Sequence, residues 1–240
     1  MRCLMIYRPE ANPETSPPPS PEHFAKMGAY IEEMTRAGVL LDTGGLAPSS
    51  RGARVRRHRG KLTVTDGPFT ESKELIAGFA IMRLPSLAEA KERAKGFLEF
   101  AGDGENEIRA MHEPSDWDPR LPKPALTRYM IIWRPEPGTE RAQPPSAEML
   151  KLIEAEKAAG ILLASEGLEP SSQGARVRRS KGKVTVTDGP FTESKELIAG
   201  YALVNVKSIA EAKEHARRFL ELAGDGESEI RVALAPHAAA

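Results

Sequence analysis

The sequence predicts an α+β fold that is present twice, each copy a split βαβ domain with a β-hairpin inserted at its middle. Two observations carry this. Residues 64–78 read VTDGPFTESKELIAG and residues 186–200 read the same, so the chain contains a tandem duplication with a spacing of 122 residues. That spacing is the size of a small domain, well above the roughly 20–50 residues of a solenoid unit. Within each copy the hydrophobic periods run strand, helix, strand, hairpin, strand, helix, strand.

The elements follow in chain order. Cys3 to Tyr7 is an apolar run that reads as a buried strand, stopped by Arg8-Pro9-Glu10. Pro13 to Pro19 is a loop. Ser20 offers an N-cap with Pro21 at the first helical position, and the helix runs to Ala37, with Gly38 suited to its C-terminal cap. Its counterpart starts at Ser146 and stops before Gly160, four residues shorter, about one turn. Val39 to Leu41 is the next strand, followed by a Gly44-Gly45 turn and a loop holding Pro48-Ser49-Ser50. Ala53–Arg57 and Lys61–Thr65 flank Arg59-Gly60 and read as a hairpin. Asp66-Gly67-Pro68-Phe69 is turn chemistry, and 70–76 is a helical turn or a loop. Phe79 to Leu84 is apolar on both faces apart from Arg83, as a central strand requires. Ser86 with Glu89, and Ser208 with Glu211, have capping-box spacing. Leu87, Ala90, Ala94, Phe97 and Leu98 share one helical face. Gly102-Asp103-Gly104 ends that helix, and Glu107 to Met111 is the last strand. The segment 112–126 holds four prolines and reads as a semi-stiff linker.

The copies have diverged unevenly. From Gly52 to Gly78 against Gly174 to Gly200, 24 of 27 positions agree, whereas Ala25 to Leu41 against Ala147 to Leu163 gives 8 of 17. Both windows have the same age, so something holds the DGPF segment more tightly than the helix before it. Its polar content excludes core packing as the whole reason. A demanding turn with local gene conversion, or a functional site, would each produce the pattern.

DGPFTESKE, preceded by a basic Arg-Val-Arg-Arg strand and followed by an Ala-Gly-aromatic strand, resembles the DGPF branch of the YCII-related family, across 4–108 and 130–230. The resemblance implies ferredoxin-like domains at 1–112 and 127–234, joined by a linker at 113–126, with a tail at 235–240. It further implies that the two domains pair as an intramolecular dimeric α/β barrel. The Pro-rich linker would hold the halves at a millimolar effective concentration. The activity implied is unassigned. Relatives outside the DGPF branch carry a first-helix histidine acting with a downstream aspartate. Here the histidine position falls on Met27 and Met149, His23 lies one turn earlier without a counterpart, and the dyad is not carried over. Association with an extracytoplasmic-function sigma factor is a further implication of the resemblance, as an alternative to a metabolite site.

The candidate chemistry lies at the repeated loop. Asp66 and Glu71, with Asp188 and Glu193, are the candidate acid–base carboxylates. Lys73 and Lys195, with Arg54 and Arg176 on the hairpins, are candidates for holding a small anionic ligand. Exposed Lys–Glu pairs and a self-capping aspartate would explain the same residues without a site. Net charge is zero and the pI is near 7, which argues against a nucleic-acid binder. No His/Cys/Asp cluster has metal-ligand spacing and no dinucleotide or phosphate-loop fingerprint is present, so no cofactor is expected. The lone Cys3 reads as a small buried hydrophobe. With neither a signal peptide nor an apolar membrane span in the sequence, the expected location is cytoplasmic.

Overall fold

The computed structural model describes residues 1–9, 20–68, 76–101, 103–116, 120–135, 147–190 and 198–233. The first repeat forms β1 (Arg2–Pro9), α1 (Pro21–Arg36), β2 (Leu40–Gly45), β3 (Ala53–His58), β4 (Lys61–Asp66), β5 (Gly78–Leu84), α2 (Leu87–Ala101) and β6 (Gly104–Ala110). The second forms β7 (Thr127–Pro135), α3 (Ala147–Ala158), β8 (Leu162–Gly167), β9 (Ala175–Ser180), β10 (Lys183–Asp188), β11 (Gly200–Asn205), α4 (Ile209–Ala223) and β12 (Gly226–Val232). None of the described helices is long and apolar enough to cross a membrane.

The repeats do not fold separately. One sheet has the order β10-β9-β12-β1-β11-β2, the other β4-β3-β6-β7-β5-β8. The first unit joins Met1–Gly45 to Glu169–Leu234, and the second is built from Leu46–Thr70 and Glu74–Leu168. Each is the ferredoxin-like pattern with the hairpin added at one edge, but its β-α-β arm comes from one repeat and its hairpin and second β-α-β from the other. In the first unit β1 lies between β11 and β12, antiparallel to both, with Ile6 opposite Tyr201 and Glu229. In the second unit β7 takes the same place between β5 and β6. Each unit thus draws its core from both repeats. Connectivity is compatible with this arrangement. β6 and β7 are consecutive strands, and the exchange sets them side by side, as neighbouring elements of a chain usually are. The segment between them is tied down at its ends. The Met111 amide donates to the Arg128 carbonyl at 2.8 Å, and Arg128 Nε donates to Glu113 at 3.0 Å. Both sheets are open, ending in β10 and β2 or in β4 and β8, so the barrel expectation finds no closed sheet here.

Each sheet carries two helices on one face. In the first unit Cys3, Met5, Ala175, Val177 and Ile230 pack under Ala212, Ala216 and Leu220 of α4. In the second, Ala53, Val55, Met82, Leu84 and Ile108 pack under Ala90, Ala94 and Leu98 of α2. Alanines at the contact let helix and sheet approach closely. Burial makes Cys3 a core residue and raises its thiol pKa to about 11. The helix ends follow their signals. Ser20 Oγ accepts from the His23 amide, and Gly38 and Gly160 take left-handed φ values of 70° and 67°. Ser208 caps α4, while the carboxylate of Glu211 reaches the Lys207 amide at 2.7 Å, one residue upstream of the reciprocal capping-box partner.

Three local expectations change. Gly44-Gly45 is the end of β2 and not a turn, and the strand runs so close beside Gly200 of β11 that a Cβ on Gly200 would crowd the Gly44 carbonyl. The last strand of the first repeat starts at Gly104, three residues before Glu107, where the Trp133 ring packs over the glycine and leaves no room for a Cβ. Ser49 is not a loop hydroxyl at the surface but a buried residue in a short 3-10 turn, Ser49–Arg51.

That 3-10 turn explains part of the retained sequence. The Gly67 amide donates to the Gly52 carbonyl at 3.1 Å, and a Cβ on Gly67 would overlap the Ser49 carbonyl. Gly189 repeats this against Ser171, and a Cβ on Gly52 would overlap the Ile108 carbonyl. Gly52, Gly67 and Gly189 are therefore fixed by close backbone approach, whereas Gly60 and Gly182 serve the hairpin turns with φ of 77°. Gly67→Ala and Gly189→Ala should each lower the unfolding free energy by about 1–3 kcal/mol, as overpacking does. Gly28→Ala, in the interior of α1 with open space around it, should stabilise by about 0.5–1 kcal/mol. Urea denaturation of the three variants checks both signs.

Candidate functional site

The structure divides the residues that the sequence grouped. Ala53 lies opposite Asp66 and Arg54 opposite Thr65, so side-chain alternation sends Asp66 and Arg54 to different faces of the sheet. Asp66, the last residue of β4, stands on the helix-bearing face. Its carboxylate pairs with Lys91 of α2, and its side chain remains 67% exposed. Asp188 does the same with Lys213, at 71% exposure. Neither lysine was singled out by sequence, although each sits one turn after a clear N-cap. Glu71, Lys73, Glu193 and Lys195 lie outside the described residues. Met27 is half-buried on α1 and Met149 is buried on α3. His23, also half-buried, uses its backbone amide for the helix cap. Among the described residues no group of His, Cys, Asp and Glu is arranged to hold a metal.

Arg54 leads to a different constellation. On the face away from the helices, Glu107 of β6 is almost wholly buried, and three guanidinium groups converge on it. Arg54 donates from Nη2 and Nε at 3.1 and 3.3 Å, Arg134 of β7 stands at 3.1 Å, and Arg109 donates at 3.3 Å. Glu105 adds a second carboxylate, 3.5 Å from Arg54 Nε. Arg109 also donates to the Ala47 carbonyl at 2.7 Å, which fixes its plane.

The first unit repeats the arrangement. Glu229 accepts from Arg176 at 3.0 and 3.2 Å, from Arg8 at 3.0 Å and from Arg231 at 3.5 Å. Glu227 lies 3.4 Å from Arg176 and 3.7 Å from Arg8, and Arg231 donates to the Glu169 carbonyl at 2.9 Å. In both units one arginine, Arg134 or Arg8, is supplied by the exchanged strand. Each unit therefore completes its cluster with a residue of the other repeat.

Among the described residues, the ion pairs of each cluster join three permanent cations to two carboxylates. Burial pushes the carboxyl groups of Glu107 and Glu229 upward, but the surrounding guanidinium groups outweigh it and hold both below the ordinary glutamate range. Arginine suits this work because its planar fork meets several acceptors at once and stays charged when buried. Sequence reasoning passed over Glu105, Glu107, Arg109, Arg8 and their counterparts. The available signal was charge at alternate positions of a strand, in Glu105-x-Glu107-x-Arg109 and again in Glu227-x-Glu229-x-Arg231.

These shifts fix a pH dependence. A carboxyl whose pKa is depressed on folding leaves the native state binding fewer protons than the unfolded chain. The stability it contributes is complete above the ordinary glutamate pKa of about 4.3 and is lost as the pH falls below it. Urea midpoints should fall between about pH 5 and pH 3, and less steeply in Glu107→Gln/Glu229→Gln. At neutral pH each substitution breaks a buried ion pair and should cost about 3–5 kcal/mol.

The profile of the YCII-related domain family matches residues 1–112 and 127–231. An uncharacterized protein of Rhizobium meliloti (strain 1021) is 34% identical over 93 residues, covering 38% of this chain and 75% of that protein. No solved structure matches the chain. The two matches coincide with the two copies of the repeat, and the chain belongs to the YCII-related family, whose domain it carries twice.

Proposed function

We propose that each folded unit binds a small anionic metabolite, a carboxylate or phosphate ester, on the sheet face that carries the arginine cluster. The observation behind this reading is the imbalance of buried charge. Arg54, Arg109 and Arg134 face Glu105 and Glu107, and Arg8, Arg176 and Arg231 face Glu227 and Glu229. A place so rich in half-buried and buried guanidinium groups favours an anion, since a buried charge is costly unless it is paired. Guanidinium groups recognise carboxylate and phosphate oxygens through paired hydrogen bonds.

The cluster adjoins the retained loop. Arg54 and Thr65 are cross-strand partners, one residue before the DGPF turn begins. On this reading the anion lies on the Arg54 and Arg176 side of the sheet. Asp66 and Asp188 stand on the other face, bound to lysines, and take no part in holding it. The proposal is of a binding site; acid–base chemistry at that site would have to come from groups on its own face.

Thermal-shift and calorimetric titration with inorganic phosphate, citrate and sugar phosphates tests the reading. A ligand present at 100 times its dissociation constant should stabilise the protein by about 2.7 kcal/mol. Calorimetry should give two sites per chain. Arg134→Gln balances the second unit's cluster without stranding a carboxylate, and should leave one site. Arg8→Gln with Arg134→Gln should leave none. If the anions bind the double variant as they bind the parent, the clusters are not the site.

A further inference from the structure

The two helix contacts tell the repeats apart. α3 repeats α1 and α4 repeats α2, so the α1–α4 contact of the first unit and the α2–α3 contact of the second descend from one ancestral contact. The side chains that meet in them have nevertheless changed in matched pairs. In the second unit Arg93 of α2 donates to Glu156 of α3 at 3.1 Å, with the Glu156 side chain 11% exposed. The same two positions in the first unit hold His215 and Met34. His215 makes no side-chain hydrogen bond and its Nε2 lies 3.9 Å from Glu211 of its own helix, and Met34 is 3% exposed.

A second set runs the other way. In the first unit Arg218 donates to Glu33 at 2.8 Å and lies 5.4 Å over the Tyr30 ring, and the Tyr30 hydroxyl donates to the His215 carbonyl at 3.2 Å. The corresponding residues of the second unit are Gly96, Ala155 and Leu152, and the space beyond Gly96 is open.

Folding within a repeat would undo both sets. Arg93 would meet Met34, and Glu156 would meet the imidazole of His215 in place of a guanidinium. Arg218 would meet Ala155 and Leu152, and Glu33 would meet Gly96. In the exchanged arrangement each of these charged groups has an opposite charge across the contact. We propose that these positions form a matched recognition set. The face of α1 is an interface specific for α4, the face of α3 is specific for α2, and the set selects strand exchange over folding within each repeat. The partner of each repeat is thus the other repeat, chosen by complementary charge and size at helix positions that the sheet clusters do not use.

The test uses the full chain and reads which strand lies beside β1. Arg2 is the cross-strand partner of Asn205, and the corresponding residue of the first repeat is Arg83. Directly opposite residues of an antiparallel pair lie within disulfide reach. In a Cys3→Ala background, Arg2→Cys/Asn205→Cys should oxidise to an intrachain disulfide in the monomer fraction, and Arg2→Cys/Arg83→Cys should not.

Arg93→His/Gly96→Arg/His215→Arg/Arg218→Gly transplants each recognition set onto the helix of the same repeat. The disulfide should then form with the Arg83→Cys partner instead. A disulfide that still forms only with the Asn205→Cys partner would overturn the proposal. A second background is gentler, because Glu33→Ala/Arg218→Gly/Arg93→His/Glu156→Met only makes the two contacts alike. Both disulfides should appear there. Persistence of the Asn205→Cys product alone would overturn the proposal even if the transplanted chain fails to fold.

Discussion

The pairing of β6 with β7 is the interaction on which the rest of the architecture depends. Seven residue pairs, from Gly104 opposite Pro135 to Ala110 opposite Tyr129, commit the first strand of the second repeat to the sheet of the first. Once β7 occupies the place between β6 and β5, β8 completes that sheet on the far side of β5. β1 and β2 then take the equivalent places beside β12 and β11. One antiparallel pairing between consecutive strands so converts two repeats into two composite units. It also brings Arg134 to Glu107 and Arg8 to Glu229, because each arginine lies near the end of an exchanged strand. Neither cluster can be assembled from a single repeat in this arrangement.

Local structure was legible in the sequence because local chemistry specifies it. Arg59-Gly60 and Lys181-Gly182 turn the hairpins with positive φ at both residues, and Ser20, Ser86 and Ser208 cap the helices that follow them. The exchange was not legible, for a physical reason. The strands β5 and β11 carry almost the same pattern of apolar residues, as do β6 and β12, so β1 has two equivalent partners by hydrophobic register. The choice rests on connectivity and on a few helix side chains, and neither appears as periodicity. The candidate site was half legible. Arg54 and Arg176 belong to the charged clusters, but the period-two rule places Asp66 on the opposite face once the hairpin register is known, and residue spacing alone does not supply that register.

The retained DGPF window has a mixed cause. Gly52 and Gly67, with their counterparts Gly174 and Gly189, stand where the backbone of the Ser49 or Ser171 turn and of the last strand comes close. Arg54 and Arg176 are held by buried carboxylates, and Asp66 and Asp188 by lysines from the following helix. Each of these explains identity without a ligand. What they leave unexplained is the excess of cation over carboxylate. A cluster built for stability alone has no need of it, since replacing buried ion pairs by apolar residues is often neutral or better for stability. On the proposed reading, the third guanidinium serves an acceptor that comes from outside the chain.

The two surfaces of each sheet have accordingly been held to different standards. On the face away from the helices, Arg8, Arg54, Glu105, Glu107 and Arg109 have identical counterparts in Arg134, Arg176, Glu227, Glu229 and Arg231. On the helix side the corresponding positions have drifted apart: the Glu156–Arg93 pair stands where the other repeat has Met34 and His215, and the Glu33–Arg218 pair where it has Ala155 and Gly96. Sameness on one face and difference on the other follow from two demands on a duplicated chain. If the clusters bind an anion as proposed, they perform one task twice, and both copies keep the same residues in the same register. The helices must distinguish two nearly identical halves, so their contacts gain specificity only by becoming unlike. On the proposed recognition set, divergence at those positions serves the exchanged fold, while the sheet residues beneath it stay the same.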